Sequence, residues 1–299
     1  MSLPTPTGIQ VALRRGDVTA QIAQVGASLR ELTVGGVDLI STYPLDQPTP
    51  VCAGVVLAPW PNRIRDGLWI DEGTERQLAI TEPKLSNASH GLLRFTAYDV
   101  EQTDDAAILR AHIVPQTGYP YLVETSVTYM LTDQGIEVTH ALTNLSATPA
   151  PVALGIHPFP TIGGVDPHDL VLRVPATTTL VADDRKIPTG SEPADPAFRS
   201  GVRLGDVELD TAFTDLDRDD DGRVRVSLTA PDGRRVTVWQ GPGFDYAQVF
   251  TTTTKFPGLD LAVAIEPMTA PANAFNSGDG LRRLAPDETW ILHWGITLD

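Results

Sequence analysis

Residues 121–142, YLVETSVTYMLTDQGIEVTHAL, carry the clearest structural signal in the chain. From Ile136 to Leu142 the side chains alternate, with Ile, Val, His and Leu on one face and Glu, Thr and Ala on the other. A period of two is that of a β-strand with one buried face. Residues 121–131 supply a partner strand, and Thr-Asp-Gln-Gly at 132–135 is typical of a turn. The stretch therefore predicts an antiparallel β-hairpin.

The same kind of signal recurs on both sides of this hairpin. Residues 224–228 and 236–238 alternate about Pro-Asp-Gly at 231–233, which predicts a second hairpin. Arg-Asp-Gly-Leu at 65–68 predicts a third. No segment of helical length keeps a period of 3.6 residues. The chain is therefore predicted to be all-β.

Two stretches are predicted to be long loops, namely residues 183–200, which are rich in Pro and Asp, and residues 267–280. Strand signals continue with the same character on both sides of each, so neither stretch separates two self-sufficient halves. We expect residues 1–299 to form a single domain, a large antiparallel β-sandwich. A sheet of that size usually curves and leaves a concave face.

Composition limits the partners of the protein. The 299 residues carry 38 acidic and 22 basic side chains, a formal net charge of −16. Such a charge repels nucleic acid and anionic membranes, so neither is expected as a partner. Cys52 is the only cysteine, which excludes an intrachain disulfide and disfavours a cysteine-based zinc site. No apolar run approaches the roughly 20 residues that span a bilayer, and residues 1–5 lack the features of a signal peptide. The sequence predicts a cytoplasmic protein.

His157 is the first candidate for chemistry. In a strand it shares a face with Ala153 and Gly155, so we expect it to stand over an open floor with room for a ligand. Pro158 cannot donate to a sheet ladder, so the strand is expected to end there and to leave His157 at its rim. The alternative is a half-buried histidine with a structural hydrogen bond.

Glu266 repeats this design. It shares a strand face with Ala262 and Ala264 and precedes Pro267. A carboxylate among alanines is partly desolvated, which raises its pKa and suits a general base. The alternative is a glutamate at a strand end that faces solvent.

Both segments resemble motifs of one enzyme family. Residues 155–159, Gly-Ile-His-Pro-Phe, resemble the Gly-x-His-Pro-aromatic segment of the aldose 1-epimerases, whose histidine is the general acid. Residues 265–269, Ile-Glu-Pro-Met-Thr, resemble the segment that carries the general base of that family. The resemblance implies that His157 and Glu266 are the catalytic acid and base, and that the fold is the galactose mutarotase-like supersandwich with a concave sugar-binding face.

Three further segments resemble the family in the same order. Residues 59–64, Pro-Trp-Pro-Asn-Arg-Ile, are similar to its Asn-Arg element, His-Gly at 90–91 to its His-Gly element, and Asp-Thr-Ala-Phe at 210–213 to the segment of its substrate-binding aspartate. The resemblance, which spans residues 54–298, implies that Arg63, His90 and Asp210 bind the sugar hydroxyls.

The implied reaction interconverts the α and β anomers of an aldohexose. A base removes the anomeric hydroxyl proton while an acid, on the opposite side of the ring, protonates the ring oxygen, so no metal or other cofactor is expected. On this assignment the rate falls at low pH as Glu266 is protonated and at high pH as His157 loses its proton. Trp60 or Phe159 is expected to stack on the apolar face of the sugar. We expect a monomer or homodimer whose partner is a small-molecule sugar.

Alternatives remain open at this point. The residues after His157 depart from the common family pattern, which leaves the preferred sugar undecided. A close variant acts on hexose 6-phosphates, with Arg65, Arg76 or Arg94 binding the phosphate. A non-catalytic sugar-binding module needs no acid–base pair, and a glycosidase needs two carboxylates flanking the bond.

One acidic stretch has part of the pattern of a metal site. Residues 217–222, Asp-Arg-Asp-Asp-Asp-Gly, match the first half of a Ca²⁺ loop. The twelfth position is Leu228 rather than the bidentate glutamate, and no helix flanks the loop. The stretch is interpreted as an acidic hairpin tip.

Overall fold

The computed structural model describes residues 5–103 and 105–299. Most of the segment in which the sequence predicts no signal peptide lies outside the described residues. Most of the regular secondary structure of the described part is strand, as predicted, and its two α-helices have four residues each, α1 (Ala197–Ser200) and α2 (Ala274–Ser277). Its strands in chain order are β1 (Gln10–Arg15), β2 (Val18–Ala23), β3 (Ser28–Val34), β4 (Val37–Asp38), β5 (Val56–Leu57), β6 (Arg63–Arg65), β7 (Leu68–Asp71), β8 (Thr74–Gln77), β9 (Asn87–Ser89), β10 (Asp99–Gln102), β11 (Ala106–Ile113), β12 (Val123–Thr132), β13 (Gly135–Asn144), β14 (Ala150–Val152), β15 (Gly155–Ile156), β16 (Val171–Arg173), β17 (Ala176–Ala182), β18 (Pro188–Pro193), β19 (Val202–Arg203), β20 (Asp210–Leu216), β21 (Val224–Thr229), β22 (Arg235–Gln240), β23 (Tyr246–Thr252), β24 (Ala262–Met268), β25 (Arg282–Leu284) and β26 (Thr289–Leu298).

The first predicted hairpin lies in a nine-stranded sheet of order β10-β11-β12-β13-β26-β22-β21-β16-β19. Strands β12 and β13 pair antiparallel, with Leu131 opposite Ile136 and Tyr129 opposite Val138. Along β13 the predicted apolar face is buried and the other face is half-buried. The second predicted hairpin is β21–β22 in the same sheet. Both predictions are confirmed.

A seven-stranded sheet of order β18-β17-β20-β23-β24-β15-β5 is the second large layer. Apolar side chains from both large sheets and from the four-stranded sheet β1–β4 form one buried cluster that extends from Val11 to Ile296. The antiparallel sandwich predicted from the sequence is therefore confirmed. Two of the candidate site residues, Asp210 and Glu266, lie on strands of this sheet.

The third predicted hairpin is wrong. Residues 65–68 do form a turn, in which the Gly67 amide donates to the carbonyl of Ile64. However, β6 pairs with β9, and β7 pairs with β8. The reason is a contact with a distant segment, because the amide of Arg65 donates to the side chain of Asn273 instead of to strand β7.

The expected loop at residues 183–200 is also partly wrong. It contains β18, which pairs with β17, and helix α1. Strand β18 lies at the edge of its sheet, where proline is tolerated because only one side of the strand is hydrogen-bonded. Its proline content therefore concealed a strand. The second expected loop, residues 267–280, holds the end of β24 and helix α2.

No helix in residues 5–103 and 105–299 is long and apolar enough to cross a membrane.

The packing of the loop before β12 can be tested at Gly118, which has a φ of +80°. A Cβ there would lie 2.3 Å from the carbonyl oxygen of Gln77, whereas a Cβ at Gly35 (φ +56°) would meet nothing within 4 Å. We expect Gly35→Ala to lower the free energy of unfolding by about 1 kcal/mol, the cost of a left-handed conformation. Gly118→Ala should lower it by about 2–4 kcal/mol because the backbone must also shift. Urea unfolding measures both, and equal losses would contradict the close contact.

Candidate active site

A cavity of about 230 Å³ opens on one face of the seven-stranded sheet. Strands β20, β23 and β24 contribute Asp210, Gln248 and Glu266 to its wall. All five residues singled out from the sequence line this cavity, although they span more than 200 positions of the chain: Arg63, His90, His157, Asp210 and Glu266.

The centre of the cavity is a histidine–carboxyl contact. Strand β15 lies beside β24, with Gly155 opposite Met268, and His157 follows β15 directly. Nε2 of His157 thereby lies 3.3 Å from Oε1 of Glu266. The two side chains are only 7% and 3% exposed. Nδ1 of His157 and Oε2 of Glu266 have no hydrogen-bond partner within the described residues. Buried polar groups are normally paired, so this arrangement suits a polar ligand.

Burial shifts both pKa values toward the neutral forms. Desolvation, reinforced by Asp210 and opposed by Arg63, raises the pKa of Glu266 well above its ordinary value. Desolvation also lowers the pKa of His157 to about 4, and the charge of Arg63 acts in the same direction. Burial therefore favours the state in which the pair carries one proton and no net charge. An acid and a base in contact are what proton transfer requires.

The small residues beside the pair do not provide an open floor, contrary to the expectation from the sequence. A Cβ at Gly155 would lie 2.6 Å from Cβ of Pro61, so the missing side chain makes room for protein. Ala264 packs in a buried apolar cluster with Phe159 and Phe256. These small residues instead allow close packing, which removes water from around the carboxyl group.

Arg63 is held by a carboxylate. It lies on β6, and its Nε and Nη2 donate to the two carboxylate oxygens of Glu82 at 2.8 and 3.0 Å. The two-point contact fixes the plane of the guanidinium group. Glu82 in turn accepts a hydrogen bond from Asn87. Arg63 is thus oriented toward the cavity and its charge is largely compensated.

Asp210 lies at the start of β20 and is also held by neighbours. Gln248 donates to its Oδ1 at 2.8 Å, and Nζ of Lys186 lies 3.5 Å from its Oδ2. Gln248 is paired in register with Glu266 across β23 and β24. Asn62 donates to Gln248 at 3.4 Å and accepts from Arg63 at 3.2 Å. A chain of hydrogen bonds therefore joins Asp210 to Arg63.

His90 is placed by an unusual backbone. Its φ is +60°, and that of Gly91 is +69°. A Cβ at Gly91 would lie 2.1 Å from the carbonyl oxygen of Ala58, so only glycine fits there. The His90 ring meets that of His157 edge to face at 5.5 Å, and its Nδ1 is buried without a partner in the described part of the chain. Burial, assisted by His157, holds the pKa of His90 well below its ordinary value, so the ring is neutral.

The expected aromatic platform is wrong. Trp60 does not line the cavity, and Phe159 lies stacked against His157 in the protein interior, with ring centres 5.2 Å apart. The aromatic side chain in the wall is Phe250, which pairs with Asp210 across β20 and β23. Sequence reasoning missed Phe250 and Gln248, although both lie on one face of β23, because pairing register cannot be read from one strand.

The three arginines proposed to bind a phosphate, Arg65, Arg76 and Arg94, do not lie together in the structure. Arg65 contacts Asp183, and Arg76 lies 3.3 Å from Asp71, both outside the cavity. Of these three arginines, Arg94 alone lines the cavity.

The acidic tip at residues 217–222 is tied to arginine. Arg225 contacts the carboxylates of Asp219 and Asp221. In residues 5–103 and 105–299, no three His, Cys, Asp or Glu side chains are grouped as metal ligands.

The opposite environments of the two glutamates in the cavity wall predict opposite effects on stability. Because the pKa of Glu266 is raised on folding, its ionisation opposes folding as the pH rises above the ordinary value of about 4.3. Glu266→Gln should therefore stabilise the fold relative to the wild type, and by more at pH 8 than at pH 5.5.

Glu82→Gln is the matched control. Desolvation acts to raise the pKa of Glu82, but the hydrogen bonds from Arg63 outweigh it and the pKa is lowered. The ionised carboxylate therefore stabilises the fold above its unfolded pKa, and Glu82→Gln should cost roughly 1–3 kcal/mol at both pH values. Urea unfolding measures both variants. Destabilisation by Glu266→Gln that grows with pH would contradict the environment described for Glu266.

Comparison with known proteins agrees with this architecture. The family model of aldose 1-epimerase matches residues 10–297. The uncharacterized protein YihR of Escherichia coli (strain K12) is 31% identical over 296 residues, which cover 97% of this chain and 93% of that protein.

Solved structures share the fold. A galactose mutarotase-like protein from Clostridium acetobutylicum superposes with a TM-score of 0.85 at 20% identity, over 97% of this chain and 95% of that one. An aldose epimerase homologue from C. elegans gives 0.85 at 18% identity, over 97% and 98%. A galactose 1-epimerase from Lactobacillus acidophilus NCFM gives 0.79 at 18%, over 97% and 94%. The family match along nearly the whole chain establishes that this protein belongs to the aldose 1-epimerase family.

Proposed function

We propose that the protein is a mutarotase that interconverts the α and β anomers of an aldohexose by opening and reclosing the ring. The observation that carries the proposal is the buried contact between His157 and Glu266 inside a small polar cavity. Pockets for drug-sized ligands measure about 300–1,000 Å³. A cavity of about 230 Å³ therefore suits one sugar ring better than a polysaccharide chain.

The contact distance suits this chemistry. The anomeric hydroxyl oxygen and the ring oxygen are bonded to the same carbon, C1. An acid and a base that lie 3.3 Å apart can therefore reach both oxygens without moving far. The sequence-based mechanism placed the two groups on opposite sides of the ring, and the ligand-free structure instead brings them side by side.

The proton transfers balance without any co-reactant. Glu266 takes the proton of the anomeric hydroxyl, the C1–O1 bond becomes a carbonyl, the bond from C1 to the ring oxygen breaks, and that oxygen takes a proton from His157. Rotation about C1–C2 presents the other face of the carbonyl. The hydroxyl formed from the ring oxygen then attacks C1 and returns its proton to His157, and Glu266 returns its proton to O1.

The pair needs one proton in total, which is the state favoured by burial. Catalysis in the direction written needs that proton on His157, and a sugar hydroxyl that donates to Glu266 favours the ionised carboxylate. With the proton on Glu266 the two residues would exchange roles. In either case the reactive species is the singly protonated pair.

The remaining wall positions the sugar. Arg63, His90 and Asp210 each present polar atoms at the cavity and would bind ring hydroxyls. Phe250 would cover an apolar patch of the ring. A purely binding module has no use for the proton that His157 and Glu266 share, which favours catalysis over binding alone.

Polarimetry on freshly dissolved α-glucose and α-galactose tests the proposal directly. Catalytic amounts of protein should accelerate the approach to the equilibrium rotation well beyond the spontaneous rate. Tight sugar binding without acceleration would replace the proposal by a sugar-binding function.

Replacing either member of the pair should abolish most of the activity. Glu266→Gln keeps the shape of the side chain but cannot accept a proton, and His157→Asn keeps a polar group but cannot donate one. We expect kcat to fall by roughly 10²–10⁴-fold in each variant, with sugar affinity largely retained. The double variant should lose far less than the product of the single effects, because the residues act as one unit.

The chain provides a matched control for this experiment. His112 and Glu124 also form a histidine–glutamate contact, at 3.4 Å, but both side chains are more than a third exposed. Glu124→Gln and His112→Asn should mutarotate like the wild type. Near-wild-type activity in Glu266→Gln would disprove the mechanism.

The pH profile should reflect the two pKa values of the buried pair. Below about pH 4 the pair takes up a second proton on His157, and kcat/KM should fall. As the pH rises through the raised pKa of Glu266 the pair loses its proton, and kcat/KM should fall again. This assigns the low-pH limb to His157 and the high-pH limb to Glu266, the reverse of the assignment from the sequence. Initial rates corrected for spontaneous mutarotation measure the profile, and an acid limb above pH 6 would contradict it.

A further inference from the structure

The cavity wall has more positively charged side chains than acidic side chains to pair with them. Arg63 is paired with Glu82, and Asp210 lies against Lys186. His157 and Glu266 together carry no net charge in the neutral form that burial favours. Two cations of the wall, Arg94 and Lys255, are left over.

Neither cation has an acidic partner. Within residues 5–103 and 105–299, no carboxylate oxygen lies within 4.0 Å of the guanidinium nitrogens of Arg94 or of Nζ of Lys255. This is notable in a chain with 38 acidic and 22 basic residues, where most cavity charges are compensated. Unpaired cations that face a cavity create a positive potential that favours an anionic ligand.

Aromatic rings support both cations without neutralising them. The guanidinium carbon of Arg94 lies 4.8 Å from the ring centre of Phe95, and Nζ of Lys255 lies 5.2 Å from that of Phe250. Arg94 is half-buried and Lys255 is exposed. The charge of Arg94 contributes to the lowered pKa of His90, after burial and the charges of His157 and Arg63. Arg94 therefore acts on the same space as the residues proposed to bind the sugar.

We propose that the substrate is an aldohexose with an anionic group at C6, and that Arg94 and Lys255 bind this group. The inference rests on the proposed mutarotase function and specifies its substrate class. C6 lies outside the pyranose ring, so a charged group there leaves C1 and the ring oxygen to His157 and Glu266. The planar guanidinium group of arginine binds two oxygens of a phosphate or carboxylate with two hydrogen bonds, and lysine adds a point charge.

Binding is measured separately from turnover so that the two proposals can fail separately. Isothermal titration calorimetry on Glu266→Gln, which turns over slowly, compares glucose, glucose 6-phosphate and glucuronate. We expect both anions to bind roughly tenfold to a hundredfold more tightly than glucose, the range of one or two charge-assisted hydrogen bonds. Whichever anion binds more tightly identifies the group as phosphate or carboxylate. Glucose binding as tightly as both anions would overturn the inference.

Variants locate the site. In the Glu266→Gln background, Arg94→Gln and Lys255→Gln should each reduce the preference for the anion over glucose by about tenfold, and together they should remove it. Arg14→Gln removes the same charge from an exposed position on β1, outside the cavity, and should leave the preference unchanged. A preference that persists without Arg94 and Lys255, or that is lost equally with Arg14, would overturn the assignment.

Turnover by the wild type completes the test. Polarimetry should give a higher kcat/KM for glucose 6-phosphate or glucuronate than for glucose. A protein that binds the anions preferentially but anomerises none of the three sugars would retain the anion site and disprove the mutarotase function. A protein that anomerises all three equally, with equal affinities, would retain the function and disprove the anion site.

Discussion

A carboxyl group that is removed from water beside an imidazole is the constraint on which the rest of this site depends. A buried carboxylate without a partner is costly, so burial favours the state in which Glu266 and His157 share one proton. The charges nearest to the pair are themselves largely compensated, by the contacts Arg63–Glu82 and Asp210–Lys186 on two sides of the cavity. Arg94 and Lys255 are the cations of the wall that form no ion pair within residues 5–103 and 105–299.

The sheet explains why these groups remain where they are. Glu266 lies on β24, between β23 and β15, so the strand that carries it is hydrogen-bonded on both sides. His157 follows β15, and its ring is held from below by Phe159. Groups that are held in place before the substrate arrives need little reorganisation during the reaction. The two catalytic candidates are thus anchored by paired strands of the seven-stranded sheet.

Hydrogen bonds and ion pairs of loop residues fix the part of the cavity wall that lies outside the sheet. The hairpin tip between β17 and β18 brings Lys186 to Asp210, and Arg185 fastens the tip to Asp66 and to the carbonyls of Leu85 and Ser86. The same tip accepts a hydrogen bond from Asn87, which also contacts Glu82. Segments far apart in sequence are thereby tied together around one wall of the cavity. Binding residues on loops that are fastened in this way keep their geometry without belonging to a sheet.

The sequence predicted those features that depend on local patterns. Period-two alternation predicted β12–β13 and β21–β22, and short motifs predicted five residues that do line one cavity. It did not predict features that depend on which segments become neighbours. Gln248 can be identified as a wall residue only once the pairing of β23 with β24 is known. The hairpin predicted at residues 65–68 does not form because the amide of Arg65 donates to the side chain of Asn273, which is distant in sequence. The floor expected under His157 was filled by Pro61 for the same reason.

The edges of the seven-stranded sheet have a consequence for the behaviour of the protein at high concentration. An exposed strand edge is a template on which a second molecule can add its own strand. Here one edge is β18, which has proline at both ends, and the other is β5, which has only two residues, both buried. Neither edge offers a long row of unsatisfied amides, and the net charge of −16 makes copies repel one another. Both edges of the sheet that carries Glu266 are thus poor templates for edge-to-edge aggregation.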